Sequence, residues 1–239
     1  MSTGAAASAA ARPQLTIVVP CLNEAEGIAE TLDALATLRR RGVEVIVVDG
    51  RSSDGTLLRV EGRADLVLNG VRDRAAQMNA GAVRARGDVL LFLHADTKLP
   101  HDADALIHDG LARSGLAWGR FDVSIFGRHP LFPLIAAAMN ARSRWTGIAT
   151  GDQAMFVTRL QFERTGGYRE IALMEDVALS ASLRRHGPPL CIAQRVSTSG
   201  RRWEKHGVVR TVMLMWRLRL AYALGADPDK LAARYVSHR

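Results

Sequence analysis

A chain of 239 residues, 48% hydrophobic and 23% charged, has the composition of a folded globular protein and excludes a disordered or fibrous one. Its formal charge of +8 asks for an anionic partner, which nucleic acid, anionic lipid and a nucleotide diphosphate all satisfy. No RNA-binding aromatic signature or zinc-finger spacing accompanies the arginines, so nucleic acid is not expected as the partner.

The Ala- and Ser-rich start, residues 1–13, lacks the apolar run of a signal peptide and reads as a disordered tail. One domain is expected over 14–239, because a single core suits this length. Leu15 to Pro20 is short, β-branched and apolar on both faces, as in a buried parallel strand. Ile28, Leu32, Leu35 and Ala36 then carry helical spacing as far as Gly42. Val43 to Val48 repeats the buried-strand pattern, Leu66 to Leu68 is a weaker third strand, and Val89 to Leu93 a fourth. Between the last two, Ala75, Met78, Ala82 and Val83 form the apolar stripe of a helix ending near Gly87. This alternation predicts a parallel sheet. Further strands are expected at Trp118 to Ile125, Ala154 to Val157 and Leu190 to Val196, and a helix over Val177 to Arg185. Cys21 and Cys191 lie in apolar, strand-like runs and read as thiols in a reducing compartment, with no disulfide. Val208 to Leu224 is the longest apolar stretch, but Arg210, Arg217 and Arg219 interrupt it, so no span is expected and the chain reads as cytoplasmic.

Ligands of open parallel sheets bind beyond the carboxyl ends of the strands. That rule selects Asn23 and Glu24 after the first strand, Asp49, Ser52, Ser53 and Asp54 after the second, and His94 and Asp96 after the fourth. Local sequence alone leaves a plainer reading open, in which Asp54 or Ser53 caps a helix. Glu175 and Asp176 likewise suit the first turn of a helix, where the macrodipole stabilises each acid by about 0.3–1 kcal/mol.

The ordered set Val19-Pro-Cys-Leu-Asn-Glu24, Val48-Asp-Gly-Arg-Ser-Ser-Asp-Gly-Thr56 and Leu93-His-Ala-Asp-Thr97 resembles the family 2 glycosyltransferases. The resemblance continues through Arg74-Ala-Ala-Gln-Met-Asn-Ala-Gly81, Gly151-Asp-Gln-Ala-Met-Phe156, Gly166-Gly-Tyr168, Met174-Glu-Asp176 and Arg201-Arg-Trp203, where it is similar to the rSAM/selenodomain-associated transferase 2 subfamily. It implies an α/β GT-A (Rossmann-like) fold, a mostly parallel central sheet with helices on both faces. The nucleotide-sugar half would be 14–100 and the acceptor half 101–239.

By that resemblance, Asp49 hydrogen-bonds the nucleotide base, with Asn23 and Glu24 beside base and ribose and Ser52 and Arg74 completing the donor site. Arg51 stands where a small residue is expected, which leaves open a phosphate contact or a base other than uracil. His94-Ala-Asp96 occupies the metal position, so Asp96 is the first ligand for Mn²⁺ or Mg²⁺ and His94 a second, an imidazole favouring Mn²⁺. Asp176 would be the general base of an inverting transfer. Gly151, Asp152, Gln153 and Glu175 would face donor sugar or acceptor, and Arg202, Trp203 and His206 the departing diphosphate. Polymerising relatives carry Gln-x-x-Arg-Trp beside membrane spans. Here Ser199 takes the Gln position, so transfer of a single sugar is expected.

The expected partners are a nucleotide-sugar donor, with UDP as the expected carrier, and a hydroxyl acceptor, with a lipid-linked one at the inner face of a membrane as one expectation. Leu131 to Met139 and Val208 to Leu224 would supply the membrane contact, with packing in the core or in a homodimer as the alternative. Two rival functions stay open at this point, nucleotidyltransfer and a basic nucleotide-binding module without catalysis. The first lacks its Gly-rich, Lys-containing loop after Pro20, and the second leaves the ordered acids unexplained.

Overall fold

The structure, a computed structural model, describes residues 14–70 and 72–236, with the side chains of residues 202 and 236 outside that description. The tail expected over 1–13 therefore lies outside the described residues.

The elements in chain order are β1 (Leu15–Cys21), α1 (Ile28–Ala34), α2 (Ala36–Arg40), β2 (Glu44–Asp49), α3 (Thr56–Val60), β3 (Leu66–Asn69), α4 (Arg74–Arg84) and β4 (Val89–Phe92). There follow β5 (Thr97–Lys98), α5 (Ala103–Ser114), β6 (Trp118–Phe126), α6 (Phe132–Thr146), a 3-10 turn (Gly151–Gln153), β7 (Phe156–Thr158), α7 (Arg159–Arg164) and α8 (Glu175–Arg184). The chain continues through β8 (Leu190–Ser199), α9 (Arg201–His206), α10 (Val208–Ala223) and α11 (Pro228–Val236).

One sheet runs β3-β2-β1-β4-β7-β6-β8-β5. The first four strands are parallel, β7 is antiparallel to both β4 and β6, β6 and β8 are parallel again, and β5 closes the edge antiparallel to β8. The mostly parallel sheet expected from the pattern is thus realised in the first half, and the second half is mixed.

Strand periodicity explains the runs that are apolar on both faces. Ile17 and Val19 of β1, with Val45 and Val47 of β2, pack with Ile28, Leu32, Leu35 and Leu38 on one side of the sheet. The intervening Val18, Ile46 and Val48 pack with Met78 and Ala82 of α4 on the other. The helix expected from Ile28 onward is two short helices meeting at Leu35, and Gly42, at φ 91°, ends the second.

On α4 the expected stripe needs one correction, since Val83 is 80% exposed. The buried face is Ala75, Met78, Gly81 and Ala82, and Val83 falls about 100° around the helix from its neighbour, toward solvent. A Cβ on Gly81 would lie 2.4 Å from Val18 Cγ1, so glycine lets the helix approach β1 and β2 directly.

A second close approach joins β6 to β8, where a Cβ on Gly119 would meet the Leu190 carbonyl oxygen at 2.3 Å and the Phe156 ring at 2.5 Å. Backbone cannot step aside as a flexible side chain can. Gly119→Ala is therefore expected to destabilise the fold by about 1–3 kcal/mol, read as a lower urea midpoint at unchanged slope. An unshifted midpoint would show that the two strands are not packed this tightly.

Candidate active site

The loops after β1 and β2 are laced together. Asp49 ends β2 fully buried, and its carboxylate accepts the Ser52 amide at 2.9 Å and the Ser52 hydroxyl at 2.5 Å. The same hydroxyl accepts the Asn23 amide at 2.8 Å, and Asn23 Oδ1 in turn accepts the Ser53 amide at 2.9 Å. Behind them the Gln77 amide of α4 donates to the Cys21 carbonyl at 2.9 Å and the Val48 carbonyl at 3.1 Å, tying the ends of both strands. Burial and the facing Asp49 carboxylate push the Cys21 thiol far above its usual range, so Cys21 is an inert core thiol. Asp49 thus organises the loop from a buried position, whereas Asn23 is exposed and Ser52 partly so. Glu24 is mostly buried, its amide donating to Thr56 Oγ1 at 2.9 Å. Asp54 takes the plainer role of a cap, accepting the Thr56 and Ala25 amides, and the bond from Thr56 lowers its pKa most.

A second group of acids gathers past β4. His94 Nδ1 lies 3.2 Å from Asp152 Oδ1, and Asp176 Oδ2 accepts the Gly151 amide at 2.9 Å. The Gly151–Gln153 turn is therefore held from both sides, by His94 of the loop after β4 and by Asp176 of α8. A Cβ on Gly151 would stand 2.2 Å from His94 Nε2, so the imidazole rests on the open face of that glycine. With Nδ1 on Asp152 and Nε2 over Gly151, His94 is placed to position the turn. Gln153 is fully buried in a capping box with Thr150 and reaches Asn140 Oδ1 at 3.4 Å.

Asp96 is partly buried, its nearest side-chain partner being Thr97 Oγ1 at 3.5 Å. Among the described residues no three His, Cys, Asp or Glu side chains converge on one point. A single carboxylate at the end of β4 suits a Mg²⁺-like ion whose remaining ligands are diphosphate oxygens and water, the way such ions are commonly held.

The charges here are desolvated as well as paired. Burial raises the Glu175 pKa, the neighbouring Asp176 raises it further, and Arg74, 3.9 Å away, only partly opposes them. For Asp152 burial acts upward, but the His94 hydrogen bond and charge, with Arg74 and Arg219, bring the net shift down. Its side chain keeps about a third of its surface (35%), so that attraction is partly screened.

The segment after β8 docks beside Asp96, because the Ser199 amide donates to the Asp96 carbonyl at 3.2 Å. Trp203 and His206 of α9 are partly buried there, and the Arg202 side chain lies outside the described residues. Arg201 instead reaches the loop after β1, pairing with Glu26 at 2.5 Å and Glu24 at 3.9 Å. Sequence reasoning missed Arg201, Gln77, Arg142 and Arg219. A polar residue between Ala75 and Met78 on a buried helical face was a signal for Gln77, but nothing local distinguishes the arginines.

The family model described as "Glycosyl transferase family 2" matches residues 16–159. "Probable glycosyltransferase YdaM" of Bacillus subtilis (strain 168) is 26% identical over 237 residues, 89% of this chain and 55% of that protein. Poly-beta-1,6-N-acetyl-D-glucosamine synthase of Staphylococcus aureus (strain COL) is 30% identical over 95 residues, 37% of this chain and 23% of its own. The chain thus spans about half the length of the first relative and under a quarter of the second. Among solved structures, S. aureus TarS 1-349 in complex with UDP-GlcNAc has a TM-score of 0.62 at 15% identity, over 78% of this chain and 58% of its own. The mannosyltransferase PcManGT from Pyrobaculum calidifontis, in complex with GDP-Man and Mn²⁺, has a TM-score of 0.62 at 25% identity, over 88% of this chain and 61% of its own. These likenesses bear out the expected α/β GT-A fold.

The raised Glu175 pKa predicts a pH dependence whose sign is fixed. The native state holds a proton that the unfolded state releases near the ordinary glutamate value, so this stability is present below that value and lost as pH rises through the native pKa. Glu175→Gln removes the loss. Its melting temperature relative to the unsubstituted protein should be more favourable at pH 8 than at pH 4, and equal differences at both would refute the shift.

Proposed function

We propose, for a chain that belongs to glycosyl transferase family 2, that it moves a single sugar from a nucleotide diphosphate sugar to a hydroxyl acceptor with inversion at the anomeric carbon. One observation carries this reading. Asp176 and the His94–Asp152 pair grip the same Gly151–Gln153 turn, while the laced loops after β1 and β2 lie along the carboxyl edge of the same sheet.

The nucleotide lies against Asn23, Ser52 and Glu24 in the loop that Asp49 organises, and Arg74 at the start of α4 faces the phosphates. UDP is the proposed carrier, as in the TarS complex, although PcManGT was solved with GDP-Man. Asp96 would hold Mn²⁺ or Mg²⁺, and such an ion, shared with the diphosphate, supplies charge neutralisation as negative charge builds on the leaving oxygen. Asp176 accepts the acceptor hydroxyl proton while that oxygen forms a bond to the anomeric carbon. The bond from that carbon to the phosphate oxygen breaks on the opposite face, its electron pair leaving with the nucleotide diphosphate. Burial and the neighbouring Asp176 disfavour the ionised form of Glu175 beside the proposed base.

A lipid-linked acceptor and docking at an anionic membrane face extend this reading. Val209, Met213, Trp216 and Leu220 follow one another at spacings of four, three and four along α10, each more than half exposed. Arg210 and Arg217 are exposed on the same helix, complementing anionic lipid. Val212 and Met215, which the alternative would have buried, are partly buried, so the helix both packs and presents a face. No described helix is long and apolar enough to cross a membrane.

Three measurements test this. Nucleotide diphosphate release from a panel of nucleotide sugars, with acceptors, should appear with Mn²⁺ and fall to background in Asp96→Asn; pyrophosphate release from a nucleoside triphosphate would mean nucleotidyltransfer instead. Asp176→Asn should lower kcat by about 10²–10⁴ while calorimetric donor affinity stays within twofold, and equal loss of folding and activity would reduce Asp176 to a helix acid. Sedimentation with phosphatidylglycerol vesicles should pellet the protein at low salt and release it in Trp216→Glu. Retention in the supernatant, with a dimer in solution, would assign the α10 face to a second copy.

A further inference from the structure

Arg142 of α6 and Arg219 of α10 stand out from the other inward arginines. Arg120 is fully buried but is bonded to Asp122 and to the Asn140 carbonyl, and Arg159 donates to the carbonyls of Ala82, Ala85 and Gly87. Arg120 Nε also lacks a partner, but Arg142 has two buried nitrogens, Nε and Nη2, without a hydrogen-bond partner among the described residues, and Arg219 has its Nε in that state. Neither makes an ion pair within 4.0 Å among the described residues.

Their placement is enforced by neighbours. Asn140, two residues before Arg142, exchanges hydrogen bonds with both backbone groups of Val123 and meets Gln153, which pins this stretch of α6 behind the Gly151–Gln153 turn. Leu218, directly before Arg219, is buried in one cluster with Met174, the residue that leads into Glu175 and Asp176. Arg219 thereby follows directly on a residue packed against the lead-in to α8. The two guanidiniums feel each other, since burial first and Arg219 second push the Arg142 pKa down to about 10, which still leaves it charged at neutral pH. Asp176 and Asp152 act on Arg142 in the opposite sense from beyond contact distance.

Charged guanidiniums whose buried nitrogens lack partners are costly unless an anion completes them. Forked donors of this kind match the paired oxygens of a phosphate or carboxylate. The charges that bear most on Arg142 are Arg219, Asp176, Arg120 and Asp152, which belong to the acceptor half, and the donor loops after β1 and β2 contribute none of them. We propose that Arg142 and Arg219 form an anion subsite that binds a phosphate or carboxylate group of the acceptor, next to the hydroxyl that Asp176 deprotonates. The inference rests on the glycosyl-transfer reading for the word acceptor; the anion site itself does not.

The probe is inorganic phosphate, titrated by calorimetry at low salt into the full chain, alone and with saturating UDP and Mg²⁺. Phosphate should bind in both conditions, and at least tenfold more weakly in Arg142→Gln and in Arg219→Gln. Both variants should melt no lower than the parent in phosphate-free buffer, because each removes an unpaired buried charge, and their UDP affinity should be unchanged. Should one variant fail to fold, the other decides. Equal phosphate affinity in parent and variant overturns the subsite. Phosphate displaced by UDP, or UDP affinity lost in the variants, overturns the acceptor assignment and gives the arginines to the donor diphosphate. Failure of every protein to bind UDP would sink the glycosyl-transfer reading while leaving the phosphate comparison to decide the subsite.

Discussion

The close seat of α4 on the sheet is the contact on which the rest of this site depends. Gly81 removes the side chain that would otherwise hold the helix away from Val18 and Val48. At that depth Gln77 can satisfy the last carbonyls of β1 and β2, groups that would be costly to bury unpaired. The same helix reaches the other half of the molecule. Asn79 exchanges hydrogen bonds with both backbone groups of Tyr168, at 2.8 and 2.9 Å, and Arg74 at the first turn faces Glu175. A single helix therefore sets the donor loops, the loop before α8 and one cation of the site in a common frame.

Within that frame the backbone is strained where the chemistry is placed. The described non-glycine residues with positive φ are Asn23, Arg51, Ala154 and Met174, and each lies in or beside a site loop. Such conformations cost of order 1–3 kcal/mol each and persist only where surroundings impose them. Asn23 is imposed by its bonds to Ser52 and Ser53, Ala154 by full burial behind the Gly151–Gln153 turn, and Met174 by its packing against Leu218 and Leu231. Met174 then aims the start of α8, so that Asp176 can reach the Gly151 amide. Strain here aims side chains, and the aim is held by packing from outside the loops.

Much of the parallel half was legible because strand and helix signals there are local. Runs such as Leu15 to Pro20 are buried on both faces, and the next apolar stripe covers them. What stayed hidden depends on partners distant in sequence. Gln153 reads as a site residue beside Asp152, yet its amide is consumed by Thr150 and Asn140, a contact no local pattern announces. His94 stands at the metal position by resemblance, and its contacts with Asp152 and the open face of Gly151 are ones that no local pattern announces. Val208 to Leu224 looked like neither span nor amphipathic helix. Once α11 and Met174 cover Leu218, the remaining apolar residues fall on one exposed face.

The electrostatics follow from the same arrangement. A folded surface usually lets opposite charges meet in solvent, as Arg39 and Asp65 do at 2.7 Å. The site adds like charges to such pairs, with Asp176 next to Glu175 and Arg219 acting on Arg142, so that burial and like charge raise an acid and lower a base. Mutual neutralisation would have been the more stable arrangement for these groups alone. Holding them apart requires fixed helices, which the buried anchors Asn140 and Leu218 provide. Because those anchors are set by the fold, the charged groups are oriented before any ligand arrives. Field strength of that kind is greatest where dipoles and charges are already oriented and water is thin. The cost in stability thus arises where burial leaves a charge only partly compensated, as at Glu175, where Arg74 opposes burial and Asp176 only in part.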